Sequence, residues 1–221
     1  MKYIYFILGS FVTVLSLVSC SDTNNEYYDY NLTQNTFDGS VLNYLESNRS
    51  EYDSILKVID LVPGLRDTLT LDNITVFAVD NESFRTVMNE LNQIRKNNEQ
   101  EIIPSIQDLN VSELDTLVSR YVFKGIYDSG LIRKNTEGLL LKSVKFNYPM
   151  QVENVKTDAS GYINSGGQRL VFSNPKGSLL RSKWINTYTS LADVKVSNGV
   201  VHKLVPNHSF GFDEFVFRLN K

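Results

Sequence analysis

His202 and His208, the lone Cys20 and 25 carboxylates are the side chains from which this 221-residue sequence would have to build a catalyst or a metal site. A structural zinc needs several ligands in convergent geometry. The two histidines stand six positions apart, no second histidine pair exists, and the only thiol lies near the N-terminus. For calcium, "DNESF" and "DSG" lack the ligand spacing and the glycine of a recognised loop. A Ser-His-Asp hydrolase would need one of the two histidines and a Gly-x-Ser-x-Gly elbow, which does not occur. "INSGGQ" lacks the Lys-Ser/Thr of a phosphate loop and precedes a strand, so it reads as a hairpin turn. Paired carboxylates for glycoside cleavage are partners in space rather than in sequence, and a sequence leaves them open. The reading is therefore no catalytic residue, no metal and no cofactor.

His202 itself sits in "VSNGVVHKLV", just after Asn198-Gly199. Asn-Gly between apolar runs signals a hairpin with a type I′ turn, which needs φ > 0 at both central residues. The strand neighbours of His202 are apolar, so burial is expected, and a buried imidazole needs hydrogen-bond partners. The expected role is architectural: a histidine pinning the hairpin to an early strand.

The elements that must hold these residues change character along the chain. Ser50 with Asp53 is expected to open a helix whose Tyr52, Ile55, Leu56 and Ile59 fall on one face and which ends at Pro63-Gly64. Asp80 or Asn81 opens another, with Phe84, Val87, Met88 and Leu91 in the same spacing. Ser112 with Asp115 opens a third, carrying Leu114, Leu117, Val118 and Tyr121. A shorter helix is expected over residues 40–46, and the charged segment 93–108 is expected to be solvated. "ITVFAV", residues 74–79, suits a strand covered on both faces. After residue 137 the period is that of strands, through "INTYTSLADVKV" and "VVHKLV" to a last alternating run, "FGFDEFVFRL". Helices early and strands late predict an α+β fold, with an antiparallel or mixed sheet covered by the early helices. One domain over residues 36–219 is the simplest partition.

Lys2 followed by an uncharged apolar run to residue 19 reads as a secretory signal, somewhat short for a membrane span. It ends "LVSC", which resembles the bacterial lipoprotein lipobox, in which the cysteine is acylated and becomes the mature N-terminus. Cys20 is the expected lipidation site, since a lone thiol cannot make an internal disulfide. Removing residues 1–19 takes one of 22 basic side chains, leaving 21 against 25 acidic ones and a net charge of −4. Acyl chains, palmitate among them, are then the expected anchor rather than headgroup attraction. Residues 20–35 read as the lipidated cysteine and a polar tether. Ser21, rather than Asp, after the cysteine implies by the same resemblance an outer membrane of a two-membrane bacterium. No basic stripe is present, so nucleic acid is not an expected partner.

Two segments resemble the signatures of the fasciclin domain. "NITVFAVDNESF", residues 73–84, is similar to the first through Thr75, Val76, Phe77, Ala78 and Phe84. "ADVKVSNGVVHKLV", residues 192–205, is similar to the second through Asn198, Gly199, Val200, Val201 and His202. The amphipathic "ELDTLVSRYVFKG" between them fits as well. The resemblance implies a single compact wedge of about seven strands with several packed helices. It also implies a surface-tethered adhesion or recognition module without a family-wide catalytic site. The sequence departs from the pattern at Val79, where the family usually has Pro, and at Val205, where Asp often follows. It departs also at Arg120-Tyr121, where the family usually has Tyr-His, the pair tied in some animal members to receptor binding.

The function read from the sequence is that of an exported, lipid-anchored binding module for an extracellular glycan, matrix polymer or envelope protein. The alternatives are a structural subunit of a surface or nutrient-uptake assembly and an enzyme acting on polysaccharide. A groove lined by Trp184 and tyrosines would favour glycan, a broad apolar patch would favour assembly, and two carboxylates at catalytic separation in a cleft would favour the enzyme.

Overall fold

The computed structural model describes residues 35–156 and 167–221. The expected signal segment, Cys20, the expected tether up to residue 34 and the Gly166 side of the expected "INSGGQ" turn lie outside these residues. Seven α-helices and seven strands are described, and the fold is α+β, as the change of period along the sequence implies.

The first helices are α1 (Val41–Ser47) and α2 (Arg49–Leu61), joined through Asn48. Ser40 caps α1 in a reciprocal bond with Asn43. Against expectation, Ser50 and Asp53 do not open α2. The chain is already helical at Arg49, and Asp53 instead binds Lys57 one turn on, at 2.7 Å. α2 bends at Tyr52, which has non-helical dihedrals. The bend frees the Ser50 carbonyl and the Ser54 N–H from each other, and the Asn81 carboxamide meets both, at 3.0 and 2.7 Å. A short α3 (Leu65–Thr68) follows Gly64, whose φ of 74° is left-handed.

α4 (Asn81–Asn97) begins at Asp80, whose carboxylate accepts the Ser83 N–H at 2.9 Å. It buries Phe84, Val87 and Leu91. It also runs into the segment expected to be a solvated excursion, where Ile103 and Ile106 pack against the core. α5 (Val111–Val118) is capped by Asn110 rather than Ser112, because the Asn110 side chain reaches the Glu113 N–H first, at 3.2 Å. The short α6 (Ser129–Arg133) is capped by Asp128.

The strands are β1 (Ile74–Ala78), β2 (Val122–Lys124), β3 (Leu139–Lys142), β4 (Pro149–Lys156), β5 (Gln168–Asn174), β6 (Ile185–Val196) and β7 (Gly199–Leu204). They form one mixed sheet in the order β2-β1-β7-β6-β5-β4-β3. Among the described strands only β1 and β7 pair in parallel, and outside them Thr36 makes an isolated parallel bridge to Lys195. The two ends of the sheet meet: Phe123 bridges Ser143 just beyond β3, and the Val144 N–H donates to the Val122 carbonyl at 2.9 Å. Such closure removes most of the unpaired strand edge. Inside the curl Phe77 stacks on Phe172, with centroids 3.9 Å apart, and Phe123 meets both edge-on.

The last apolar run is not a strand. Gly211, Phe212 and Asp213 all have positive φ, which no extended strand accommodates, and the chain then enters α7 (Phe215–Leu219). What looked like alternation is the i, i+4 pair Phe215 and Leu219 facing the core, with Phe217 left 82% exposed.

Candidate functional site

The two signature segments pair residue for residue. β1 and β7 align Ile74 with Gly199, Thr75 with Val200, Val76 with Val201 and Phe77 with His202. All of Thr75, Val76, Phe77, Ala78, Val200, Val201 and His202 are buried. Thr75 donates its hydroxyl to the Gly125 carbonyl at 2.7 Å and accepts the Tyr127 N–H at 3.0 Å, fixing the loop after β2. Phe84 lies at 4.2 Å from the Phe210 ring. None of these side chains is placed to meet a solute.

Asn198 and Gly199 act differently from the expected type I′ turn. Neither is among the described residues with positive φ, and the loop is Ser197-Asn198 with Gly199 already in β7. The requirement at Gly199 is close approach: a Cβ there would lie 2.1 Å from the Ile74 carbonyl oxygen. Asn198 joins three segments. Its Oδ1 accepts the Val41 N–H at 2.8 Å, at the start of α1, and its Nδ2 donates to the Leu69 and Leu71 carbonyls at 2.9 and 3.0 Å.

His202 has no accessible surface. Its Nε2 donates to the Tyr127 carbonyl at 2.9 Å and its Nδ1 accepts the Asp193 N–H at 3.2 Å, so one neutral tautomer satisfies both. The histidine thus pins the loop after β2 and a bulge in β6, in addition to lying on Phe77. Asp193, at φ 60°, occupies that bulge. Burial pushes the imidazole pKa down, against the opposing pull of the Tyr127 bond and the Asp193 charge. The Asp193 carboxylate accepts the Ser129 N–H at 2.8 Å and bonds its hydroxyl. Serine, aspartate and histidine are therefore neighbours, but in the wrong order for acyl transfer, which needs the imidazole between hydroxyl and carboxylate.

The second histidine is likewise spent. Tyr121, buried at the end of the helical segment that follows α5, accepts the Gly211 N–H at 2.8 Å and donates to His208 Nε2 at 2.7 Å. Burial holds the His208 pKa down at about 3 and raises that of Tyr121. Beside them Arg120 is 1% exposed, bonded to Glu214 at 2.8 Å, with its guanidinium carbon 4.3 Å from the centroid of the Tyr148 ring. Burial would raise the Glu214 pKa, yet Arg120 and Arg218 outweigh it and keep the carboxyl below its usual range. At the positions where the family pattern has Tyr-His, this chain has two interior residues.

Sequence reading missed the partners Tyr127, Asp193 and Glu214, all of them distant in the chain. Only the i, i+4 spacing of Glu214 and Arg218, bonded at 3.0 Å, was visible.

Two concave surfaces among the described residues are an apolar void of about 20 Å3 between the early helices and the sheet and a polar cleft of about 310 Å3. The void has room for about one water molecule. The cleft sets Asp108, Glu113, Arg218 and Lys221 over Leu109 and Leu219. Lys221 at 2.6 Å and Arg218 at 3.1 Å hold Glu113 below its ordinary pKa, against the pull of burial. Asp108 accepts the Ser105 hydroxyl at 2.7 Å. A glycosidase acid needs a raised pKa, so Glu113 is the wrong carboxyl for that task. Trp184 lines neither cavity. Among the described residues no three His, Cys, Asp or Glu side chains converge as metal ligands. Asp80 and Asp128, the leading carboxylates of "DNESF" and "DSG", are helix caps.

No protein-family model matches the sequence, and no curated protein matches it. Among solved structures, the chain is similar to a FAS1 domain pair from the insect cell adhesion molecule fasciclin I. The identity is 19%, the match covers 78% of this chain and 46% of that one, and the TM-score is 0.44. The chain spans a little under half the length of that domain pair.

Proposed function

We propose that this chain is a lipid-anchored recognition module of the fasciclin type, presented on a bacterial envelope, which binds a glycan, a matrix polymer or an envelope protein and does not turn it over. One observation carries the reading: both histidines, the only general bases of ordinary near-neutral pKa in the sequence, are buried, neutral and occupied by architectural hydrogen bonds. The residues that resemble the family signatures build the frame, so recognition falls to the outer surface. The anchor rests on "LVSC" and Cys20. Many copies on one membrane would raise a weak contact through effective concentration.

The test is to present the domain from residue 35 to glycan and matrix-polymer arrays and to follow the same polymers for released product. Saturable binding without product is expected. Cleavage that vanishes on changing Glu113→Gln or Asp108→Asn would replace this reading with the enzyme. A silent array with a co-purifying envelope protein would transfer the role to assembly.

A further inference from the structure

The loop between β5 and β6 places two leucines in solvent and holds them there. The turn closes through the Ser178 N–H to the Pro175 carbonyl at 2.8 Å, with Lys176 and Gly177 both left-handed at φ 51° and 72°. Trp184 donates its indole N–H to the Ser178 carbonyl at 2.8 Å, locking the far side of the loop. Arg181 crosses to the outer face of β3 and β4, donating to the Glu153 carboxylate and the Glu137 carbonyl, each at 2.8 Å, while its guanidinium lies 5.3 Å from the Trp184 ring. What remains outside is Leu179, 97% exposed, and Leu180, 60% exposed, with Leu140 of β3, 61% exposed, on the same outer face.

The charge of the loop opposes that of the chain. Residues 174–184 carry Lys176, Arg181 and Lys183 and no carboxylate, in a protein of net charge −3. Arg181 is spent on Glu153 and Glu137, whereas Lys176 and Lys183 make no ion pair among the described residues. Lysines beside the apolar centre of a contact are depleted from protein interfaces. An anionic bilayer selects that composition: leucines enter the acyl boundary, lysines keep their charge among the headgroups, and tryptophan favours the level between.

We propose that residues 176–184 form a tip that seats on a lipid bilayer carrying anionic headgroups and so orients the domain against the membrane. The inference uses neither the family resemblance nor the acylation of Cys20. Trp184 is the only tryptophan in the chain, so its fluorescence reports on this loop alone.

The experiment takes the full chain into vesicles of phosphatidylcholine alone or with phosphatidylglycerol, with brominated acyl chains as contact quenchers. Strong quenching of Trp184 is expected with phosphatidylglycerol, weaker quenching without it, and reduction by salt. Leu179→Asp with Leu180→Asp should lower the quenching about ten-fold. Because both side chains project into water, the double variant should keep the parent melting temperature; should it not, Lys176→Glu with Lys183→Glu is the second variant, with the same loss expected. Vesicle-bound protein with unquenched Trp184 overturns the proposal, as does equal quenching in both lipids or in the variants. A Trp184 response seen only with an added envelope protein also overturns it.

Discussion

Phe77 and His202 are register partners across the single parallel strand pair, with ring centroids 5.0 Å apart. Their contact joins the two segments that resemble the family signatures into one buried unit. His202→Ala removes the donor to Tyr127 and leaves the Asp193 N–H without its acceptor. A loss of roughly 1–3 kcal/mol is expected, read as a lower urea midpoint with unchanged slope. A variant of parental stability that had lost a ligand would instead make this histidine functional.

Acid should weaken the fold from near neutrality. His202 and His208 are both held below the ordinary histidine value of 6.5, His208 at about 3. The unfolded chain therefore takes up protons that the native state refuses, and the stability these sites supply is complete above the unfolded value. For His208 it is lost as pH falls from about 6.5 toward 3, by up to about 1.4 kcal/mol per pH unit, and His202 adds a loss of the same sign below about 6.5. His208→Gln, which keeps an acceptor for Tyr121, should flatten part of that slope in urea midpoints measured across pH.

Two glycines separate crowding from dihedral strain. At Gly64, φ is 74° and nothing lies within 4 Å of an added Cβ, so Gly64→Ala should cost about 1–2 kcal/mol from the left-handed backbone alone. At Gly199 the obstacle is backbone, the Ile74 oxygen at 2.1 Å, and Gly199→Ala must separate β1 from β7. The larger loss of melting temperature is expected at Gly199, although its φ is not the strained one.

Arg120 and Glu214 should behave as a buried pair. Removing Glu214 leaves the buried Arg120 charge uncompensated, at a cost of about 3–5 kcal/mol. Removing Arg120 should cost less, because Glu214 keeps its bond to Arg218, and replacing both with apolar residues is expected to cost less than losing Glu214 alone. A double-mutant cycle with Arg120→Met and Glu214→Leu measures this. Additive losses would show that the pair contributes no coupling.

Cys20→Ala should abolish metabolic acyl labelling and release the domain from the envelope. Retention of the unlabelled protein in membranes would replace the lipoprotein reading with an uncleaved apolar helix.

Local grammar was enough for much of the architecture. The stripe Phe84, Val87 and Leu91, the cap at Asp80 and the run "ITVFAV" each follow from short-range rules of periodicity and capping, and the change of period after residue 137 announced the strands. Short-range rules also explain the failures. Asn110 displaced Ser112 as a cap because both offer an acceptor and only geometry chooses between them. "FGFDEFVFRL" satisfies the strand alternation and the i, i+4 spacing together, and left-handed backbone at Gly211, Phe212 and Asp213 decided for the helix. Burial of His202 was foreseeable from its apolar neighbours. Its partners were not, because the Tyr127 carbonyl and the Asp193 N–H belong to backbone that every residue carries and only folding brings near. The same holds for Gly199, whose need for a missing side chain comes from the Ile74 oxygen rather than from its own dihedral. Composition and spacing determined which residues must be inside; the curl of the sheet, bringing distant segments to hydrogen-bond distance, decided what each of them does there.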